Sequence, residues 1–288
     1  MNRSTAEIRA AFKRRLSEPG IIVAPGVYDA ISALLAEQAG FECVFFSGSA
    51  MATTQLAMPD IGLLTLPEIA SAVQRAADRI DTPIVVDVDQ GFGGAAQAAR
   101  TMKTFERAGA AAIQVEDQQL VKPSNALTSR PLIPVQDMLG KIKAMLDARE
   151  SEHMLLSART DAKDPQEAVD RCLAFRDAGA DIVFPEGMTD IPALIQLREA
   201  LDDDAAMVYN NHYEQSEILT AADAEKIGAD VVLFPVLAVR SAIAAMQTAF
   251  AAMAADPDLR GAGNSPLTNE QQGEVTASRE IISRLESI

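Results

Sequence analysis

Short, continuously apolar runs alternate along the chain with longer stretches in which apolar residues recur at helical spacing. Four junctions share one form: a helical stretch ends in a small residue plus glycine, and an apolar run begins at once. They read AEQAGFECVFFSGS (Gly40), FERAGAAAIQVED (Gly109), FRDAGADIVFPEG (Gly179) and AEKIGADVVLFPV (Gly228). Glycine at that point takes the left-handed conformation that stops a helix. The first two intervals match to within a residue and the third is shorter; each fits two strand–helix units. Further apolar runs at 21–24, 83–87, 154–158 and 206–209 complete eight predicted strands. Helices are predicted over 28–38, 66–79, 95–107, 134–149, 165–177, 191–201, 221–226 and 239–255. Apolar strands alternating with helices indicate a parallel sheet, and eight units indicate closure into a (β/α)8 TIM-type barrel, which typically needs ~250 residues. The rival is an open doubly wound sheet, disfavoured because no GxGxxG follows the first strand.

Two stretches fall outside the repeat. Residues 121–133 (VKPSNALTSRPLI) form a long polar connection after the fourth strand, and a long loop on the catalytic face of a barrel is commonly a lid. Residues 256–267 are rich in Gly and Pro and precede a last predicted helix at 269–285. The expected organisation is a barrel over 1–255 carrying the lid, then a C-terminal linker and extra helix over 256–288. With no strand of its own left to cover, that helix is expected to pack on a neighbouring subunit.

Charge narrows the partners. Lys and Arg total 25 against 41 Asp and Glu, a formal charge of −16. Such a surface repels nucleic acid and anionic membranes, so neither is expected as a partner. An anionic substrate then needs a local cation, either a metal or a buried Arg. Cys43 and Cys172 form no CxxC and read as reduced, buried thiols of a cytoplasmic protein. The N-terminus is charged and amphipathic and is not read as a signal peptide. No apolar run is read as approaching the ~20 residues needed to span a bilayer.

The predicted strands turn polar at their C-terminal ends: Ser47-Gly48-Ser49, Asp87-Val88-Asp89, Glu116-Asp117, Arg159-Thr160-Asp161, Glu186, and Asn210-Asn211-His212. A single acidic residue there commonly caps a helix, and Asp117 and Asp161 fit that reading. Six polar ends on the face where barrels keep their chemistry are another matter. Asp87, Asp89 and Glu116 lie on adjacent strands, and alternation points the first two to one side. Clustered carboxylates repel unless a cation compensates, and hard oxygen ligands favour Mg2+, with Mn2+ as the alternative. Asp60 could join them from behind. Arg159 can bind a substrate carboxylate through its planar fork, or pair with Glu116 or Glu186 for structure alone. His153 falls at the barrel bottom. His212 at the catalytic face is either an acid–base group or a packing residue.

These residues carry a family resemblance. PGVYDAISALLAEQAGFECVFFSGSAMA, MPDIGLLTLPEI, PIVVDVDQGFGG, AAIQVEDQQ, LSARTDA and IVFPEGMTD resemble the isocitrate lyase/phosphoenolpyruvate mutase superfamily, methylisocitrate lyases in particular, over about residues 20 to 250. The resemblance implies that Asp87 contacts Mg2+ directly or through water, that Asp89 and Glu116 hold the metal's waters, and that Asp60 stands behind them. It implies substrate contacts from Ser47, Gly48, Ser49 and Arg159, a lyase-type Glu186, and a polar pair Asn211 and Glu214. A homo-oligomer, with a tetramer favoured, acting on a small carboxylate is expected.

The chain departs from that pattern in the lid. Where the lyases carry Lys-Lys/Arg-Cys-Gly-His, it reads Lys122-Pro123-Ser124-Asn125-Ala126, which retains Lys122 but replaces the Cys by Ser124 and the His by Ala126. Gln90 replaces the usual Thr. The family reaction stabilises an enolate beside the metal. A Ser hydroxyl is a far weaker acid than the thiol it replaces, so Ser124 needs support from a base. The expected function is cleavage of a C–C bond in a 2-hydroxy or 2-oxo (di)carboxylate, as in a methylisocitrate lyase-like or oxaloacetate decarboxylase-like enzyme. The alternatives are C–P chemistry on phosphonopyruvate, whose Lys-x-Asn lid Lys122 and Asn125 resemble only loosely, with Asn125 one position late and Glu186 opposed, and a non-catalytic relic, which the costly cluster of charges opposes.

Overall fold

The computed structural model describes residues 3–120, 130–202, 204–211, 220–255 and 267–286, with 284 and 285 by backbone only. Among them, strands β1 (Ile22–Val27), β2 (Val44–Phe46), β3 (Ile84–Asp87), β4 (Ala112–Glu116), β5 (Leu155–Thr160), β6 (Ile182–Pro185), β7 (Ala206–Asn210) and β8 (Val231–Phe234) close into a parallel barrel in chain order. Closure is made by β1 against β8, from Ile22 opposite Val231 to Pro25 opposite Phe234. The chain is therefore a (β/α)8 barrel, and each strand overlaps its predicted run.

Helix α1 (Thr5–Leu16) precedes the barrel and α2 (Ala30–Gln38) follows β1. After β2 comes a feature the periodicity did not announce: a one-turn helix, α3 (Gly48–Met51), continuing as a π-turn over Ala52–Leu56. The outer layer continues with α4 (Leu66–Ala77), α5 (Ala95–Arg107), α6 (Val135–Ala148), α7 (Pro165–Asp177), α8 (Ile191–Leu201) and α9 (Ala221–Lys226). Local chemistry sets these boundaries. Asp164 and Asp190 cap the N-termini of α7 and α8 through the amides of Glu167 and Ala193, with proline in the first turn of each. Gly40, Gly109, Gly179 and Gly228 all have φ between 82° and 99°, the conformation their place in the repeat requires.

Alternation along the strands divides the core in two. One face packs outward on the helices. The other fills the barrel with Ile22, Ala24, Phe45, Val85, Ala112, Leu155, Ile182, Phe184, Val208, Val231 and Leu233. Phe12 and Leu16 of α1 join this inner cluster. Arg9 donates to the carbonyls of Ala110 and Glu106, and Lys13 to that of Glu152 at 2.9 Å, so α1 lies across the end where the strands begin. That end is plugged by apolar side chains, and the polar chemistry is left to the opposite rim.

The chain divides into two compact units, Met1–Val239 and Arg240–Ile288. The second holds most of α10 (Leu237–Ala255), then α11 (Asn269–Val275) and α12 (Ser278–Glu286). The single helix expected at 269–285 is broken at Ala277, whose φ is +52°. One expectation is corrected: α10, with 19 residues and mean hydropathy 1.3, is long and apolar enough to cross a membrane by length and composition. Arg240, Ser241, Gln247 and Thr248 interrupt the run in the sequence and hide its length.

Candidate active site

The residues that turn the strands polar continue the inward-facing rows of the apolar plug. Asp87 follows Val85 on β3; Glu116 follows Ala112 and Gln114 on β4; Arg159 follows Leu155 and Ser157 on β5; Glu186 follows Phe184 just past β6. Glu116 is in register with Arg159, and Arg159 with Phe184. All four side chains therefore lie on the inward-facing rows at the C-terminal ends of the strands, where Arg159 approaches Glu116 and Glu186.

Arg159 is the hub. Its Nε lies 3.0 Å from Asp161 Oδ2 and its Nη2 2.9 Å from Asp161 Oδ1. Looser approaches link Nε to Glu116 Oε2 at 3.5 Å and Nη2 to Glu186 Oε1 at 3.7 Å. The Phe184 ring centroid lies 5.4 Å from the guanidinium carbon, a cation–π contact. Burial disfavours the charged form of Arg159, but Asp161, Glu186 and Glu116 together hold it well above its ordinary value. Asp161, read from sequence as a cap or turn residue, is a buried anchor. It also accepts from Gln118 Nε2 at 2.8 Å and from Arg130 Nη1 at 2.9 Å. Burial raises its carboxyl, but Arg159 and Arg130 outweigh that and hold it below the usual carboxylate range.

The β3 loop is equally constrained. Asp87 Oδ2 accepts from the Gly48 amide at 3.3 Å, and its Oδ1 from the Asp89 amide at 3.1 Å. Asp89 has φ +47°, so strand alternation ends before it and the turn sets its place. Its carbonyl accepts from the Glu116 amide at 2.9 Å, tying the β3 and β4 ends together. Lys141 on α6 donates to the Gln90 carbonyl at 2.9 Å, while Gln90 Nε2 donates to the Leu120 carbonyl at 3.0 Å. Ser47 caps α3 by accepting from the Ala50 amide, and the Ser49 carbonyl accepts from Thr53 Oγ1. Asp60 is half-buried on the bend after the π-turn.

Glu116 decides whether a cation fits. It is buried, and its Oε1 has no hydrogen-bond partner. Burial pushes its carboxyl well above the ordinary range; Arg159 pulls it down, and Asp161, Asp87 and Asp89 push it up again. An orphaned buried carboxylate oxygen in the field of three other carboxylates is a place where a divalent cation relieves both costs. Among the described residues no three carboxylate, histidine or cysteine side chains converge closely enough to ligate one ion together. The donor set therefore suits an ion held by one or two carboxylates and otherwise by water, as Mg2+ favours.

Around the far side, Asn210 Nδ2 donates to Glu186 at 3.1 and 3.3 Å. Asn211 is buried, its amide on the Leu233 carbonyl. Asp117 is buried too: Thr160 Oγ1, Arg171 Nη1 and the Asp161 amide all donate to it. Lys122, Ser124, Asn125, His212 and Glu214 lie outside the described residues. Sequence reasoning missed Arg130, Gln118 and Lys141, which sit in loops or on a helix and act through partners distant in the chain. It passed over Asn210 in favour of its neighbour, although inward alternation along β7 picks out Asn210.

Comparisons with known proteins bear on the family and the fold. The sequence profile of the family described as phosphoenolpyruvate phosphomutase matches residues 12–254. A 2-methylisocitrate lyase of Aeropyrum pernix is 41% identical over 79% of this chain and 74% of its own length. A solved 2,3-dimethylmalate lyase superposes with a TM-score of 0.88 at 30% identity, covering 96% of this chain and 93% of that one. A phosphonopyruvate hydrolase solved with oxalate and Mg2+ superposes with a TM-score of 0.86, covering 96% of this chain and 97% of that one. At 24% identity its likeness is one of fold.

Proposed function

We propose a substrate class and a division of labour for this chain, which belongs to the phosphoenolpyruvate mutase/isocitrate lyase superfamily and is a carbon–carbon lyase of that type. Its substrate is a small 2-hydroxy or 2-oxo carboxylate, and its cofactor is Mg2+, with Mn2+ as a substitute. The observation that carries this reading is Glu116, a buried carboxylate with a partnerless oxygen beside Arg159 and in the field of Asp87 and Asp89.

Asp87, with Asp89, Glu116 and Asp60 around it, would hold the ion and its waters. When bound, the ion supplies Lewis-acid stabilisation of the charge that develops on the substrate oxygen as the carbon–carbon bond breaks. Arg159, fixed by Asp161, orients the substrate carboxylate. The backbone of Ser47, Gly48 and Ser49 flanks the same carboxylate and its adjacent oxygen. Glu186, steadied by Asn210, receives or returns a proton at the hydroxyl or oxo end. Asn211 and Glu214 line the site beside it, and His212 is a further acid–base candidate. Lys122, Ser124 and Asn125 act from the 121–133 segment, with Ser124 in place of the family thiol.

The exposed apolar residues Met246, Phe250 and Met253 of α10 and Ile281 and Ile282 of α12 support a homo-oligomer, a tetramer in our reading. Two buried free thiols support a reducing cytoplasmic setting. Turnover of methylisocitrate, isocitrate, dimethylmalate, oxaloacetate and phosphonopyruvate, each with Mg2+ and with chelator, tests the function. Metal-dependent cleavage of a carboxylate carbon–carbon bond is expected. Turnover of phosphonopyruvate alone would overturn it in favour of C–P chemistry.

A further inference from the structure

We infer that Arg130 is a specificity-determining residue that receives the distal carboxylate of a dicarboxylate substrate; this rests on the carboxylate-lyase reading above. Arg130 and Arg159 share one carboxylate. Arg130 Nη1 donates to Asp161 Oδ1 at 2.9 Å, and Arg159 holds both oxygens of the same group. With Gln118 also donating to Oδ2, both Asp161 oxygens are doubly occupied. Two guanidinium charges thus converge on one carboxylate whose accepting capacity is used up.

The two arginines differ in what remains available. Arg159 is buried, hemmed in by Glu116, Glu186 and the Phe184 ring. The Arg130 side chain keeps 34% of its surface open, and its one described ion pair uses one of five N–H donors. Arg130 also lies in the field of Glu186 and Arg159, the groups that flank the proposed substrate position. Arg159 Nη2 and Arg130 Nη1 each lie 2.9 Å from the same oxygen, Asp161 Oδ1, so the two guanidinium groups stand side by side on one carboxylate. Neighbouring guanidinium groups at that spacing can each take one end of a short dicarboxylate. A substrate whose 2-hydroxy or 2-oxo acid end meets Arg159 therefore has Arg130 within reach of its second carboxylate. A bidentate contact there would discriminate dicarboxylates from monocarboxylates.

The test is the affinity of the Mg2+-loaded full chain for two probes: oxalate, which has no distal carboxylate, and malate, which has one. The wild type is expected to bind both. Arg130→Gln is expected to weaken malate about tenfold or more, through loss of the charge-assisted contact, and to leave oxalate within about twofold. Arg130→Lys, which keeps the charge and loses the fork, should fall between. Equal weakening of both probes, unchanged malate affinity in Arg130→Gln, or a wild type that binds oxalate but not malate would overturn the inference. A wild type that binds neither probe with Mg2+ would overturn the lyase reading itself.

Discussion

Arg159 and Asp161, two residues apart on one inward-facing row, form a two-pronged buried ion pair with N–O distances of 3.0 and 2.9 Å. The pair fixes the plane of the Arg159 guanidinium, the group proposed to orient the substrate carboxylate. Removing the charge of Asp161 leaves Arg159 buried and undercompensated, which costs roughly 3 kcal/mol. Asp161→Asn is therefore expected to lower stability by about that amount in denaturant titrations, and to raise KM.

The same pair predicts a pH signature. Asp161 titrates below its unfolded value of ~3.9. Its contribution is thus complete above that unfolded value and is lost as pH falls through the lower folded one. The stability gap between wild type and Asp161→Asn should stay constant above about pH 5 and narrow below about pH 4. A gap that widened on acidification would contradict the assignment.

Gly48 tests the other half of the site. A Cβ there would stand 3.0 Å from Asp87 Oδ2, inside normal contact. Gly48 occupies the first turn of a helix at an ordinary backbone angle, so alanine does not strain the chain and gains up to ~1 kcal/mol of helix propensity. Gly48→Ala should therefore weaken divalent-ion binding about tenfold or more without lowering stability. Parallel loss of both would mean that Gly48 serves the fold alone.

The thiols should be silent. Burial pushes both Cys43 and Cys172 far up from the ordinary thiol range. A thiol-specific reagent is expected to label neither in the folded protein and both in denaturant. Rapid labelling of either in the native state would contradict their place in the core.

The barrel was legible in the sequence because its signals are local. The apolar runs and the glycines at 40, 109, 179 and 228 lie within a few residues of the boundaries they set. The break at Ala277 was not, since neither Gly nor Pro marks it. The rim was half legible. Asp87, Glu116 and Arg159 stand at strand ends, where position alone assigns a face. Asp161 was misjudged because its role depends on Arg130 and Gln118, 31 and 43 residues away in the chain. Local pattern carries no record of such pairs. Strand alternation does not extend to Asp89, since a left-handed turn carries its backbone carbonyl to the Glu116 amide.

The central claim is that the carboxylates of β3 and β4 hold a divalent cation. Titration of Mn2+ into wild type and Asp87→Ala, followed by calorimetry or by the spin resonance of free Mn2+, tests it most directly. The account predicts one ion per chain in the wild type, displaced by Mg2+, and an affinity at least about tenfold weaker in the variant. Equal affinity in the two proteins, or no binding by the wild type, would contradict it.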